Sequence, residues 1–429
     1  MRLEDINLLD RDVFAKGVPH EWFTYLREHQ PVFHHPEPHG PGFWVVSKHA
    51  DVQAVSRDPV TYSSDQDRGG VVPLAEPEVT IAGPGAKVLI AMDPPEHTRY
   101  RRLVNRGFTP RMINALEPRI REMAVHILER AIAKRTCDFV VDVAAEFPVE
   151  VIAELIGVPR EDRHKIFHWT NQVLGAADGG EVDPEYFVGE DQVARAQMEM
   201  FLYVRELCEQ RRKEPRDDIM SELLRAELDG QKLTEFELAA FFMFLSAAGN
   251  ETTRNAAAHG LHAFLEDPKE WDKLVQDPEG LGGSATEEIL RWASPTMYLR
   301  RNVTTDTELR GKALKGGDKV SLWYVSANRD EDVFADPFRF DIERQPNEHV
   351  AFGGPGPHFC LGASLARLEL RVLFEELARR VPVLRSLGAP ARLRSNIVAG
   401  IKHLPVDLSA TPVRSIFNIS HQAREAPKT

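Results

Sequence analysis

The residues from Phe352 to Ala363 read Phe-Gly-Gly-Pro-Gly-Pro-His-Phe-Cys-Leu-Gly-Ala. A cysteine, Cys360, follows a glycine- and proline-rich loop and directly precedes a helix expected from Leu361 to about Arg380. A helix N-terminus favours a thiolate through its dipole and free N–H groups. Those donors can also bond the sulfur and tune a metal bound to it. Gly362 leaves room for a planar ligand against the first turn. The ordinary fate of a free cysteine is a buried, inert thiol, and that suits Cys137 and Cys208. It does not explain three glycines, two prolines and a histidine crowded in front of Cys360.

Two further stretches mix chemistry with helix. Ala248-Gly249-Asn250-Glu251-Thr252-Thr253 sets a glycine, an acid and two hydroxyls after an apolar run. Gly in a helix interior costs about 1 kcal/mol. Gly249 would let something flat approach the backbone, and Thr252 can bond back to the carbonyl of Ala248 and bend the helix. A solvated patch on an amphipathic helix would look the same. Glu288 and Arg291 stand three apart, on one helix face. Most such pairs are surface salt bridges worth under about 1 kcal/mol.

These groups need elements to position them. Thr234 with Glu237 forms a capping box, opening a helix that runs to Glu266, where Asp267-Pro268 stops it. At about 1.5 Å per residue this helix is long enough to cross the core of a large domain. Ile120, Met123, Ala124, Ile127, Leu128 and Ala131 recur at helical spacing. A further helix is expected from Ser284 to Trp292, strands near Gly42–Ser47 and Lys319–Tyr324, a turn at Asp229-Gly230, and an irregular stretch over 330–351. Residues 69–85 read as a long loop of the kind that covers binding sites. The chain beyond Ser409 reads as a flexible tail.

Composition narrows the class. The 429 residues are 42% hydrophobic and 28% charged, which excludes global disorder. Three cysteines exclude a disulfide scaffold and fit a reducing compartment. A net charge of −13 argues against nucleic-acid binding. The acidic N-terminus lacks the apolar run of a signal peptide. The stretch Leu238–Gly249 falls short of the roughly 20 apolar residues that cross a bilayer. A cytoplasmic monomer without a transmembrane segment is expected.

With the three motifs in this order, the sequence resembles the cytochromes P450, the haem-thiolate monooxygenases, of the soluble bacterial type. The resemblance runs from about Phe14 to Leu408 and implies one large, mainly α domain with small β-sheets. It implies haem b with Cys360 as axial thiolate, and Glu288, Arg291 and Arg344 as a structural ion-pair cluster. It implies His97, Arg101, Arg301 and His358 around the haem carboxylates, Arg301 being a better match than Arg300, with Gly249, Phe352 and Gly362 against the ring. Phe352 stands eight residues before the cysteine; the common pattern has a phenylalanine seven before, where this chain has Gly353.

A thiolate ligand donates electron density and favours O–O cleavage. The resemblance assigns proton delivery to Glu251 and Thr252. No flavin or nicotinamide module is apparent, so electrons are expected from a ferredoxin and an NAD(P)H-dependent reductase. A run of basic residues from Arg367 to Lys402, opposed in the same stretch only by Glu369, Glu375 and Glu376, could steer an acidic partner; a solvated helix face would read the same way. Phe242, Leu245, Ala248, Met297 and Ile397 lie where family members line the substrate pocket. The wording of 166–171, 248–255, 291–295 and 400–405 is similar to actinobacterial members that hydroxylate methyl-branched lipids and sterol side chains at the chain end. Another apolar small molecule, peroxide-driven chemistry, or a non-catalytic haem sensor or carrier are the alternatives.

Overall fold

The computed structural model describes residues 1–72, 74, 88–166, 168, 169, 172, 190–228 and 230–409. Most of the loop expected at 69–85, part of the 166–171 stretch, Asp229 and the tail beyond Ser409 lie outside them. Beside Asp229, Leu228 and Gln231 exchange both backbone hydrogen bonds at 2.9 Å, and Gly230 has φ +76°, as a tight turn requires.

The long helix spans Glu235–Glu266, 32 residues, with the bounds the capping box gives. Thr234 Oγ1 accepts from Glu237 N at 3.1 Å, and Glu237 Oε2 accepts from Thr234 N at 2.8 Å. The helix is buried through most of its length and carries the main core. Around it pack Glu146–Ile156, Glu190–Lys213, Pro278–Ala293 and Ala363–Arg380, and Glu117–Ala133 packs on the first and last of these. Glu117–Ala133 buries Ile120, Ala124, Ile127, Leu128 and Ala131, one stripe of its surface.

Two helix starts differ from the sequence expectation. Pro278–Ala293 begins six residues before Ser284, because Asp277 caps Gly280 N at 2.9 Å and Pro278 sits at the first position. Gly282 is a packing site: a Cβ there would meet the Glu375 side chain at 2.9 Å. The helix after the cysteine starts at Ala363, with Leu361 and Gly362 still in the turn.

A five-stranded sheet stands beside the helices, in the order Val32–His35, Phe43–Val46, Lys319–Trp323, Tyr298–Val303, Tyr62–Ser63. Val45 lies opposite Ser321 in the one parallel pairing of that sheet, and Arg300 opposite Ser321 in the antiparallel one. A second apolar cluster, with Phe14, Phe23, Tyr298 and Trp323, fills the space between the sheet and the N-terminal helices. The two ends of the described chain meet there: Asn396 Nδ2 donates to Leu8 O at 2.8 Å, and Arg394 pairs with Asp12 at 2.5 Å.

Residues 330–351 carry no helix or strand. They are fastened by the fully buried pair Glu288–Arg291, bidentate at 2.7 Å and 2.7 Å. Arg291 also donates to the carbonyls of Asn328, Pro337 and Arg339, while Glu288 accepts from Asp341 N, Asn347 Nδ2 and Arg344. The pair is thus no surface salt bridge: its charges take the place that a regular backbone ladder would have in ordering this segment.

Candidate active site

One cavity lies between the long helix and the cysteine loop. Its floor is Cys360, Leu361, Gly362 and Phe352; its roof is Leu245, Ala248, Gly249 and Thr252. The loop reaches this position because Cys360 N donates to Phe352 O at 3.0 Å, closing the glycine-proline stretch into a hairpin-like turn. Gly353 and Gly356 adopt φ +83° and +152°, and a Cβ at Gly356 would meet Ser56 O, so only glycine fits there. Burial pushes the Cys360 thiol up; the Gly362 N–H on its sulfur and the charges of Arg101 and Arg367 pull it down.

One end of the cavity is basic. His97 and Arg101, one turn apart on the helix Glu96–Val104, face His358 and Arg301. The His97 and His358 rings lie 4.4 Å apart between centroids. His97 Nδ1 and Nε2 and His358 Nε2 are buried with no hydrogen-bond partner. Burial and the neighbouring arginine charges hold His97 down at about 4 and His358 at about 2. Neither Arg101 nor Arg301 is ion-paired to a carboxylate among the described residues; Arg301 Nη1 donates to Arg300 O at 2.7 Å and its side chain bonds Tyr324. Strand alternation decides between the two arginines: Leu299 and Arg301 face the cavity, while Arg300 Nε turns to Asn302 Oδ1 at 2.8 Å. Buried ring nitrogens without partners, beside two arginines that no carboxylate of the described residues neutralises, fit a planar, dianionic ligand lying over a thiol, as haem with its two carboxylates is.

The long helix presents Phe241, Phe244, Leu245, Ala248, Gly249, Thr252, Thr253 and Ala256 to the cavity. Thr252 Oγ1 donates to Ala248 O at 2.7 Å, the back-bond its position suggests. Glu251 faces elsewhere: its carboxylate takes Arg254 Nη2 at 2.5 Å and Asn255 Nδ2 at 2.7 Å. Asn255 is held in turn by Ile401 N at 3.1 Å. Gly249 lines the cavity, but its missing side chain serves a protein neighbour: a Cβ would meet Ile152 Cδ1 at 2.7 Å.

Of the five expected substrate contacts, Leu245 and Ala248 line the cavity. Phe242 does not; it is turned by one helix position and packs its ring 6.5 Å from that of Tyr203. Met297 and Ile397 do not either. Met297 enters the N-terminal apolar cluster, bonded through its N–H to Ile397 O at 2.7 Å, and Pro295, Thr296 and Leu299 take the cavity wall. The sequence reading missed Phe108, Ile152, Phe241, Phe244, Tyr324 and Glu369. The series 241, 244, 245, 248, 252 is a helical stripe and could have identified the two phenylalanines. Glu369 is fully buried with Oε2 unpartnered, and burial raises it well above the usual carboxylate range.

The basic run after the cysteine is largely neutralised. Arg367 pairs with Glu287, Arg371 with Glu117 and Glu375, Arg379 with Glu279 and Glu376, and Arg380 with Glu376. Three of those acids, Glu117, Glu279 and Glu287, come from distant segments that a linear count cannot see.

The family profile of cytochrome P450 matches residues 8–384. The chain belongs to the cytochrome P450 family. This P450 is 42% identical to the steroid C26-monooxygenase of Rhodococcus jostii, over 94% of this chain and 85% of that one. It is 42% identical to the methyl-branched lipid omega-hydroxylase of Mycobacterium tuberculosis, over 95% of each. Among solved structures it resembles a Mycobacterium marinum P450 in complex with pseudoionone, with a TM-score of 0.85 and 36% identity over 95% of this chain and 99% of that one. The family binds haem through a cysteine thiolate and is monooxygenase in activity, drawing on redox partners, O2 and an apolar substrate. No helix among the described residues is long and apolar enough to cross a membrane.

Proposed function

We propose that this P450 hydroxylates the terminal carbon of a methyl-branched lipid or sterol side chain. The observation that carries the reading is the cavity wall: Phe108, Phe241, Phe244, Leu245, Ile152 and Leu299 enclose apolar space around a floor at Cys360. The two relatives named above for methyl-branched lipid and steroid C26 oxidation support it.

Cys360 would hold the haem iron through its thiolate, and His97, Arg101, Arg301 and His358 would take the carboxylates. Bound haem supplies dioxygen activation and insertion of one oxygen atom into a C–H bond. Thr252 is the hydroxyl in the cavity that holds and passes a proton there. Glu251, tied to Arg254 and Asn255 and turned away from the cavity, brings that proton to the helix. Electrons come from a ferredoxin and its reductase, reaching a single cytoplasmic chain.

A terminal methyl C–H bond is stronger than the adjacent tertiary one. Terminal attack therefore needs walls that hold the chain end over the floor and shield the rest. Each buried CH₂ contributes about 0.8 kcal/mol, so affinity should rise with chain length until the cavity is full. Binding of branched and linear lipids, followed by the haem spectral shift and by mass spectrometry of products, tests this. Tight binding of compact polar molecules, or oxidation mainly at mid-chain, would refute the substrate.

A further inference from the structure

Behind the cysteine loop, on the side away from the cavity roof, four residues from three segments form one cluster. The Arg367 guanidinium lies over the Phe352 ring, 4.6 Å from its centroid. Glu287 grips that guanidinium with both carboxylate oxygens, Nε to Oε1 at 2.6 Å and Nη2 to Oε2 at 2.9 Å. His349, nearly buried, bonds Glu287 Oε2 at 3.0 Å through Nε2, and its ring lies 5.9 Å from Phe352. Phe352 in turn lines the cavity and accepts the Cys360 N–H through its carbonyl.

We propose that Arg367, oriented by Glu287 and His349, is a positioning residue that sets the reduction potential of the haem iron through Phe352 and the Cys360 sulfur. The planar fork of arginine lets one edge meet a carboxylate while its face covers an aromatic ring. Phe352 thereby acquires a fixed cation on one face while contributing to the cavity floor with the other end of its segment. A positive charge held near the iron favours the reduced, less positive state; a negative charge opposes it. The Glu287 carboxylate stays ionised across the working pH range: burial would raise it, but the bonds from His349 and Arg367 bring it down to about 2. The pair therefore places a cation on the Phe352 ring and an anion beyond it, and the two should act on the potential with opposite sign. A stack that only packed the loop would not behave so.

The inference rests on Cys360 being the axial ligand, and that reading has its own test in the Cys360→His spectrum described below, independent of any potential. The experiment is spectroelectrochemical titration of the isolated holoenzyme, without redox partner, for wild type, Arg367→Met, Arg367→Lys and Glu287→Gln. The reduced carbon monoxide spectrum of each variant confirms an intact thiolate ligand. The expected result is a lower midpoint potential in Arg367→Met, a higher one in Glu287→Gln, and a value for Arg367→Lys between wild type and Arg367→Met. Midpoints indistinguishable from wild type, or shifts of the same sign in Arg367→Met and Glu287→Gln, would overturn the proposal. Where Arg367→Met fails to retain haem, Glu287→Gln decides alone: an unchanged or lowered potential overturns it.

Discussion

Ile152 occupies the space that a side chain at residue 249 would need, with Cδ1 2.7 Å from the position of a Cβ there. The glycine of the long helix is thus a packing site between Glu235–Glu266 and Glu146–Ile156. Gly249→Ala should destabilise the protein by about 1–3 kcal/mol through overpacking. Adding Ile152→Val removes the offending methyl, so the double variant should lose less than the sum of the two singles. Chemical denaturation of the four proteins measures the coupling; strict additivity would show that the contact is not felt.

Thr252 is a cavity hydroxyl, back-bonded to Ala248 O. Thr252→Ala should bind substrate normally and divert reducing equivalents to peroxide, whereas Thr252→Ser should keep most of the coupling. The readout is product and peroxide formed per NAD(P)H; wild-type coupling in the alanine variant would remove Thr252 from proton handling.

Cys360→His should abolish the thiolate-type spectrum of the reduced carbon monoxide complex. Cys137→Ser and Cys208→Ser should leave it unchanged, since burial pushes both thiols up, to about 12 and about 11. A thiolate spectrum surviving in Cys360→His would mean another ligand.

Glu288→Ala leaves Arg291 as an uncompensated buried cation and should cost about 3–5 kcal/mol, with loss of haem content. Arg344→Ala removes only one outer partner of Glu288 and should cost clearly less. Equal losses in the two variants, by thermal unfolding and haem absorbance, would contradict this ranking.

Glu369 is held protonated by burial, with its pKa well above the usual range. A raised carboxyl pKa means the folded state binds a proton that the unfolded state releases once pH exceeds the ordinary carboxylate value. Stability should therefore fall as pH rises from about 4.5 towards the folded pKa. Glu369→Gln, neutral in both states, should remove this penalty: its melting temperature should exceed that of wild type at pH 8 and converge with it at pH 4. The same difference at both pH values would show that the carboxyl is not protonated in the fold.

What could be read from the sequence followed the range of the interactions. The capping box at Thr234–Glu237 is local, and the long helix has the ends it indicates. Helix Pro278–Ala293 begins six residues before the start the sequence suggests, because Gly280, Gly282 and Gly283 look unhelical, and the reason for Gly282, the room that Glu375 takes, lies in a distant segment. In the cavity, the i, i+4 pair His97 and Arg101 and the motif positions Cys360 and Thr252 were legible. Phe242 and Met297 were not, because whether an apolar residue faces the cavity or the core depends on one helix position or one strand reversal. Ile152, Phe108 and Tyr324 come from segments with no chemical signature, and only tertiary packing brings them to the wall.

The His97–His358 contact joins the first quarter of the chain to its last fifth, roughly speaking, and Arg291 is held by the carbonyls of Pro337 and Arg339, just ahead of the cysteine loop. During synthesis, a nascent chain therefore has no completed cradle until nearly all of it has left the ribosome. Haem capture therefore comes late in folding, and a cell making this protein faster than it makes porphyrin should accumulate a pool of finished chains that can still be rescued by later supply.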